Sequence, residues 1–166
     1  KFDIKHNIKK IIKKQLVADV PVALSISGGV DSNIIYSVLR ENLNRKNYSL
    51  YSFYYPEYEK FNEDFRVANN NANYFKDKII PIKINHKDFI ENIEKVVEIM
   101  EEPLRNESAI MNYMMSKNVK EKVLFLGDGG DEVFTGYDQY KSIFILDLLT
   151  RFNFFSNKEY QFKNKL

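Results

Sequence analysis

Val22-Ala23-Leu24-Ser25-Ile26-Ser27-Gly28-Gly29-Val30-Asp31-Ser32 is a short apolar run that breaks into two glycines bracketed by hydroxyls, with an aspartate just before a helical pattern begins at Ser32. An apolar run of this length reads as a buried strand. Gly28 and Gly29 let the backbone turn tightly, with no Cβ in the way of an approaching anion. The helix that follows adds unpaired amides and a partial positive charge at its start, which favours a pyrophosphate there. Ser27 and Ser32 add hydroxyl donors. Asp31 is the odd member: a carboxylate against a polyphosphate is repelled by roughly 4 kcal/mol per charge pair at contact distance and an effective dielectric near 20. A divalent cation between them, Mg²⁺ with several retained waters, turns the repulsion into a bridge. A glycine turn without a ligand has no need of both serines and an aspartate at these spacings.

The stretch is neither a GxxxxGK[ST] loop nor a GxGxxG fingerprint. It resembles the SGGxDS loop of the ATP-pyrophosphatases, which cleave ATP between its α and β phosphates.

Outward from this loop, strand and helix patterns alternate. Ile4, Ile8, Ile11, Ile12 and Leu16 make an amphipathic helix over 4–17 that ends near Ala18, ahead of Pro21. Val22–Ile26 is the first strand. Ser32–Leu43 is a helix with Ile34, Ile35, Val38 and Leu39 inward, and a polar turn covers 42–47. Tyr48–Tyr55 is a second strand closed by Pro56, its aromatics packing the sheet. Asn62 caps a helix running to Phe75. Ile79–Ile84 is a third strand, 87–100 a helix stopped by Glu101-Glu102-Pro103, Ser108–Lys120 a helix, and Val123–Leu126 a fourth strand. The alternation predicts an α/β fold: a doubly wound parallel sheet with helices on both faces and right-handed crossovers.

The fourth strand leads into Gly127-Asp128-Gly129-Gly130-Asp131-Glu132-Val133-Phe134-Thr135-Gly136-Tyr137, a second glycine-rich turn with three carboxylates. In a doubly wound sheet, ligands bind beyond the carboxyl ends of the strands where the strand order reverses. If the first and fourth strands are neighbours, both loops face one crevice. Asp31 and Asp131 then share the metal, and Asp128 acts on a second substrate.

DVPVALSISGGVDS (19–32) together with LGDGGDEVFTGY (126–137) resembles the synthetase domain of the glutamine-dependent asparagine synthetases, and Glu102-Pro103 with Ser108-Ala109-Ile110 is similar to a stretch between the family's two motifs. The resemblance implies an adenine nucleotide alpha hydrolase-like fold, a domain over 1–150, and an incomplete helical region from 151 to 166. It implies ATP and Mg²⁺ as cofactors and an ATP-dependent ligase that adenylates the aspartate side chain, after which ammonia attacks. By position, Ser27, Gly28, Gly29, Asp31 and Ser32 hold pyrophosphate. Ser25, Tyr55, Leu126 and Gly127 line the nucleotide, the first two largely through backbone. Asp128 and Asp131 are catalytic, and Asp31 and Asp131 bind metal. Asn33 and Thr135 depart from the family's serine and glycine. The resemblance also implies a glutaminase domain elsewhere in the parent chain and a downstream lysine past Leu166, so that the excerpt alone is inactive.

A net charge of +2 in 166 residues argues against nucleic acid as a general partner. No apolar run is long enough to span a bilayer. The absence of cysteine excludes a thiol nucleophile or a thiolate zinc site, and a cytoplasmic setting fits. His6 reads as a solvated helix residue and His86 as a cap; Met111, Met114 and Met115 read as core. Two other readings share the first loop: a tRNA-modifying or sulfur-inserting ATP-pyrophosphatase, and a non-catalytic nucleotide-binding domain. The basic and aromatic tail over 151–166 is expected to pack against helices that follow in the parent chain.

Overall fold

The computed structural model describes residues 3–17, 19–43, 47–104 and 107–151. Ala18, the middle of the polar turn at 44–46 and the tail from 152 onward lie outside the described residues. The chain divides into two compact units, Lys1–Gly127 and Asp128–Leu166.

The first unit contains helix α1 (Ile4–Gln15), strand β1 (Val22–Ser25), α2 (Val30–Asn42), β2 (Tyr48–Tyr54), α3 (Glu63–Tyr74), β3 (Ile79–Lys83), α4 (His86–Met100), α5 (Ser108–Asn118) and β4 (Val123–Phe125). All strand pairings are parallel, in the order β3-β2-β1-β4. The chain steps outward from β1 through β2 to β3, then returns to the other side of β1. The strand order therefore reverses between β1 and β4, which is where such a sheet opens a crevice.

Alternation along the strands divides the core in two. Val22, Leu24 and Ile26 point to one face with Tyr48, Leu50 and Phe125, where Tyr36, Val38 and Leu39 of α2, Ala68 and Ala72 of α3, and Ile12 and Leu16 pack on them. Ala23, Tyr51, Ile82 and Ile84 point to the other, against Val96 of α4 and Ile110, Met114 and Met115 of α5. β1 is buried on both faces, which is why it reads as a continuous apolar run. Ile26 extends the ladder past the strand end, donating its amide to the Tyr51 carbonyl at 2.8 Å.

Several boundaries differ from expectation. α1 stops at Gln15, and Ile4 and Ile11 lie on its exposed side. α2 begins two residues early, at Val30, so Asp31 and Ser32 sit inside its first turn. Asn62 occupies the cap position of α3, but its side chain makes no capping bond. Instead its amide closes on the Tyr55 backbone, accepting from the N–H at 2.8 Å and donating to the C=O at 2.9 Å. The cap of α4 is Asn85, in a reciprocal capping box with Asp88, and His86 is the first helical residue.

At the edge of the sheet away from the loops, Asp77 gathers a buried polar cluster. Tyr36 and Tyr48 donate their hydroxyls to its Oδ2 at 2.7 and 2.8 Å, and Arg40 Nε lies 3.3 Å away outside hydrogen-bonding geometry. The Arg40 guanidinium stacks over Phe75 at 3.9 Å. This ties α2 and β2 to the turn before β3. Across the sheet, the hydroxyls of Ser49 and Tyr51 donate to Glu121, fastening β2 to the segment that enters β4.

The second unit contains α6 (Gly130–Phe134) and α7 (Asp138–Arg151). α7 exposes Ile143, Phe144, Ile145, Leu146 and Leu148. Among the described residues no helix is long and apolar enough to cross a membrane.

Two predictions follow from the backbone and the Asp77 cluster. Glu101 closes α4 in the left-handed region at φ 56°, so Glu101→Gly is expected to raise stability by about 1 kcal/mol in urea denaturation, as a side chain in that conformation is strained. Burial, and then the hydrogen bond to Asp77, push the Tyr36 phenol above its ordinary value. A raised phenol keeps its proton in the folded state while the unfolded one loses it near pH 10, so this contribution is intact below about pH 10 and is lost as pH rises further. Tyr36→Phe should cost about 1 kcal/mol at neutral pH and flatten the alkaline limb of a stability–pH curve.

Candidate nucleotide site

The loop after β1 is built by its own side chains. Three successive amides each meet a side-chain oxygen: Ser27 N–H donates to Ser32 Oγ at 3.1 Å, Gly28 N–H to Asp64 Oδ1 at 3.2 Å, and Gly29 N–H to Ser27 Oγ at 3.1 Å. The two serine hydroxyls lie 3.2 Å apart, and Ser32 Oγ also donates to the Gly29 carbonyl at 3.2 Å. The serines expected as hydroxyl donors to a ligand thus first organise the turn.

Asn33, the departure from the family's serine, is part of this scaffold. Its Nδ2 donates to the carbonyls of Ser27 at 3.0 Å and Gly29 at 2.7 Å, while its Oδ1 accepts from Asn71 of α3 at 3.0 Å. One amide thereby fixes two loop carbonyls and moors them to a neighbouring helix.

The glycines act through space rather than through unusual backbone angles. Gly29, the cap residue of α2, is extended at φ −70°, ψ 152°. At Gly28 a Cβ would come 2.7 Å from Asp64 Oδ1 and 3.3 Å from the Asp64 Cα, so helix α3 is what demands a glycine there. Gly127, just beyond β4, is equally enclosed: a Cβ would lie 3.1 Å from the Ser32 amide nitrogen and 3.4 Å from the Asp31 Cβ. Parallel pairing of β1 with β4 thus brings Gly127 directly onto the start of α2.

Asp31 is half-buried in the first turn of α2 and has no hydrogen-bond or ion-pair partner among the described residues. Ser25 ends β1, half-buried. Tyr55 follows β2 with both backbone groups engaged by Asn62. Burial, and then the charge of Asp64, hold its phenol above the ordinary value. Its ring borders a small apolar hollow with Tyr58, Phe61, Ile84, His86 and Phe89.

The second unit carries Asp128, Asp131 and Glu132. Gly129 takes φ 91° before α6, and Gly136 packs so closely on Asp131 that a Cβ would overlap its carboxylate. Gly136 N–H donates to the Asp131 carbonyl at 3.0 Å, and Tyr137 donates its hydroxyl to Glu132 at 2.7 Å. That bond holds Glu132 below its ordinary value and pushes Tyr137 up to about 12.

Sequence reading missed Asp64, Asn62 and Asn71 as neighbours of the site. All three belong to a stretch legible only as a helix and its start, and nothing local says that this helix lies over the loop.

The chain is an α/β domain with a parallel, doubly wound sheet and a glycine-serine loop at the point where the strand order reverses. The chain belongs to the asparagine synthase family: the family model matches residues 3–164. It is 30% identical over 148 residues to the putative asparagine synthetase [glutamine-hydrolyzing] 2 of Methanocaldococcus jannaschii, covering 84% of this chain and 27% of that one. It is 27% identical over 149 residues to asparagine synthetase [glutamine-hydrolyzing] 1 of Bacillus subtilis (84% and 22%), and 26% identical over 153 residues to the amidase ChyE of Penicillium rubens (84% and 23%). The chain thus spans about a quarter of the length of these relatives.

Asn33→Ala removes two bonds to loop carbonyls and the moor to Asn71. The expected result is a loss of about 1–2 kcal/mol in urea denaturation, with faster hydrogen exchange at Ser27 to Gly29 than at the centre of β1. Unchanged exchange would show that the loop holds its shape without Asn33.

Proposed function

We propose that this chain is the nucleotide-activating part of an ATP-dependent carbon–nitrogen ligase that adenylates a carboxylate, aspartate's side chain in the first instance, and passes the acyl group to ammonia. The observation that carries the reading is the Ser27–Ser32 loop lying against Gly127 at the switch point of a chain that belongs to the asparagine synthase family.

The chemistry asks for positioning and charge neutralisation more than for covalent work by the protein. The amides of Ser27, Gly28 and Gly29 and the first turn of α2 receive the leaving pyrophosphate, with Ser27 and Ser32 rotating from loop partners to donors. Ser25, Tyr55, Leu126 and Gly127 border the nucleoside. The substrate carboxylate attacks the α-phosphorus as the bond to the β-phosphate oxygen breaks. Ammonia then attacks the acyl carbon, AMP departs with the bonding pair, and Asp128 takes the surplus proton.

The residues present fit a hard divalent cation. Asp31 offers a carboxylate with no hydrogen-bond or ion-pair partner among the described residues, in a loop whose other side-chain donors are the Ser27 and Ser32 hydroxyls and which holds no thiolate or imidazole. Asp31 and Asp131 are the proposed metal ligands, and Mg²⁺ when bound supplies neutralisation of the polyphosphate charge. The ammonia source is proposed to be a glutaminase domain elsewhere in the parent chain, in keeping with the glutamine-hydrolyzing asparagine synthetases among its relatives. A cytoplasmic setting is part of the same proposal.

The test uses the full-length protein with Mg-ATP and ammonium, with and without aspartate, measuring AMP and pyrophosphate. Aspartate-dependent release of both is expected. Asp31→Ala and Asp128→Ala should each lower the rate by at least about a hundredfold. AMP formation indifferent to aspartate would assign a different acceptor carboxylate, as the similarity to an amidase also allows, and a fully active Asp128→Ala would overturn the role given to that residue.

A further inference from the structure

Of the three loop amides, two are held by neutral hydroxyls of the loop itself, which turn from acceptor to donor by rotating one bond. The third is different. Gly28 N–H donates to a full carboxylate, Asp64 Oδ1, from 36 residues further along the chain. The approach is enforced by the backbone, because the Asp64 Cα is itself 3.3 Å from where a Cβ on Gly28 would lie, and Val67 Cβ equally close. Helix α3 is also moored twice, by Asn71 to Asn33 and by Asn62 to Tyr55. The helix therefore stays where it is, and only the Asp64 side chain, which is exposed, is free to swing.

A phosphate oxygen arriving at Gly28 needs the position that the Asp64 oxygen holds, since one N–H directs a full hydrogen bond at one acceptor. It also arrives as an anion beside an anion. We propose that Asp64 is a built-in competitor for the phosphate loop: its carboxylate holds the Gly28 amide in the nucleotide-free protein and yields it to a polyphosphate that brings a divalent cation, so that Asp64 sets the preference for metal-bound over metal-free phosphate. This rests on the nucleotide reading above and adds a specificity-determining residue to it. Removing the competitor's charge relieves repulsion felt by metal-free ATP in full and by the partly neutralised complex much less. Closing the empty loop on its own carboxylate also keeps the amide from stray anions such as inorganic phosphate.

The experiment is calorimetric titration of the full-length protein with ATP and with pyrophosphate, each in excess Mg²⁺ and in EDTA, for wild type, Asp64→Asn and Asp64→Ala, with thermal denaturation to establish that each variant is folded. Wild type should strongly favour the magnesium complexes. In both variants the metal-free affinities should rise about tenfold or more, the size of one charge interaction, while the magnesium complexes move by less than about threefold. A second readout is the Gly28 amide proton resonance of the ligand-free protein, which should shift in Asp64→Ala. Unchanged affinity ratios in folded variants, or both affinities falling together, would overturn the proposal and leave Asp64 as packing for the loop. Absence of Mg-ATP binding by folded wild type and both variants alike would instead remove the nucleotide reading, and this inference with it.

Discussion

A central strand of a parallel sheet must stop somewhere, and its final amides must then find acceptors outside the ladder. In this protein that constraint organises the site. β1 is paired on both edges and buried on both faces, so its end at Ser25 delivers a run of N–H groups to a place with no further strand. The loop answers with side-chain oxygens: two serines, and an aspartate from α3. The Gly28 and Gly29 amides lie near the surface, where water can also accept from them, so each side-chain acceptor contributes about 0.5–1.5 kcal/mol and remains exchangeable. A turn closed in this way holds its shape through side chains rather than through a further strand.

The remainder of the first unit holds that end in place. Asn33 couples the loop carbonyls to α3, Asn62 couples α3 to the end of β2, and β4 sets Gly127 against the first turn of α2. At the opposite end of the same strands, the Asp77 and Glu121 clusters fasten helix to strand through buried or half-buried hydroxyls. Anchoring at both ends leaves the hydroxyls of the Ser27–Ser32 loop and the Asp64 carboxylate as the adjustable parts.

Much of this was legible from one dimension. Short apolar runs bounded by turn residues located the four strands and period-3.6 apolar patterns the helices between them, because the pattern is each element's burial written out. Boundaries shifted by one to three residues where local signals compete. Val30 joined α2 because an extended glycine is a sufficient cap, and Asn62 left the capping role because the Tyr55 backbone offered it two bonds instead of one. Gly28 reads in the sequence as a position of close approach, and the group of this chain that a Cβ there would meet is Asp64 of α3. Asp64 and Asn71 had no sequence signature, since their meaning lies in which loop their helix crosses.

What the sequence by itself determined is the order of elements, the two glycine-rich anchors and the residue types that suit phosphate and a hard cation. These depend on periodicity, turn chemistry and donor identity, which are local properties. Tertiary structure alone decided that β4 pairs with β1, that Gly127 lies on Ser32, and that a carboxylate from α3 accepts from the Gly28 amide of the glycine-serine loop. Those are contacts between segments 36 to about 100 residues apart, fixed by how the two hydrophobic faces of one sheet are covered, and no local pattern encodes them.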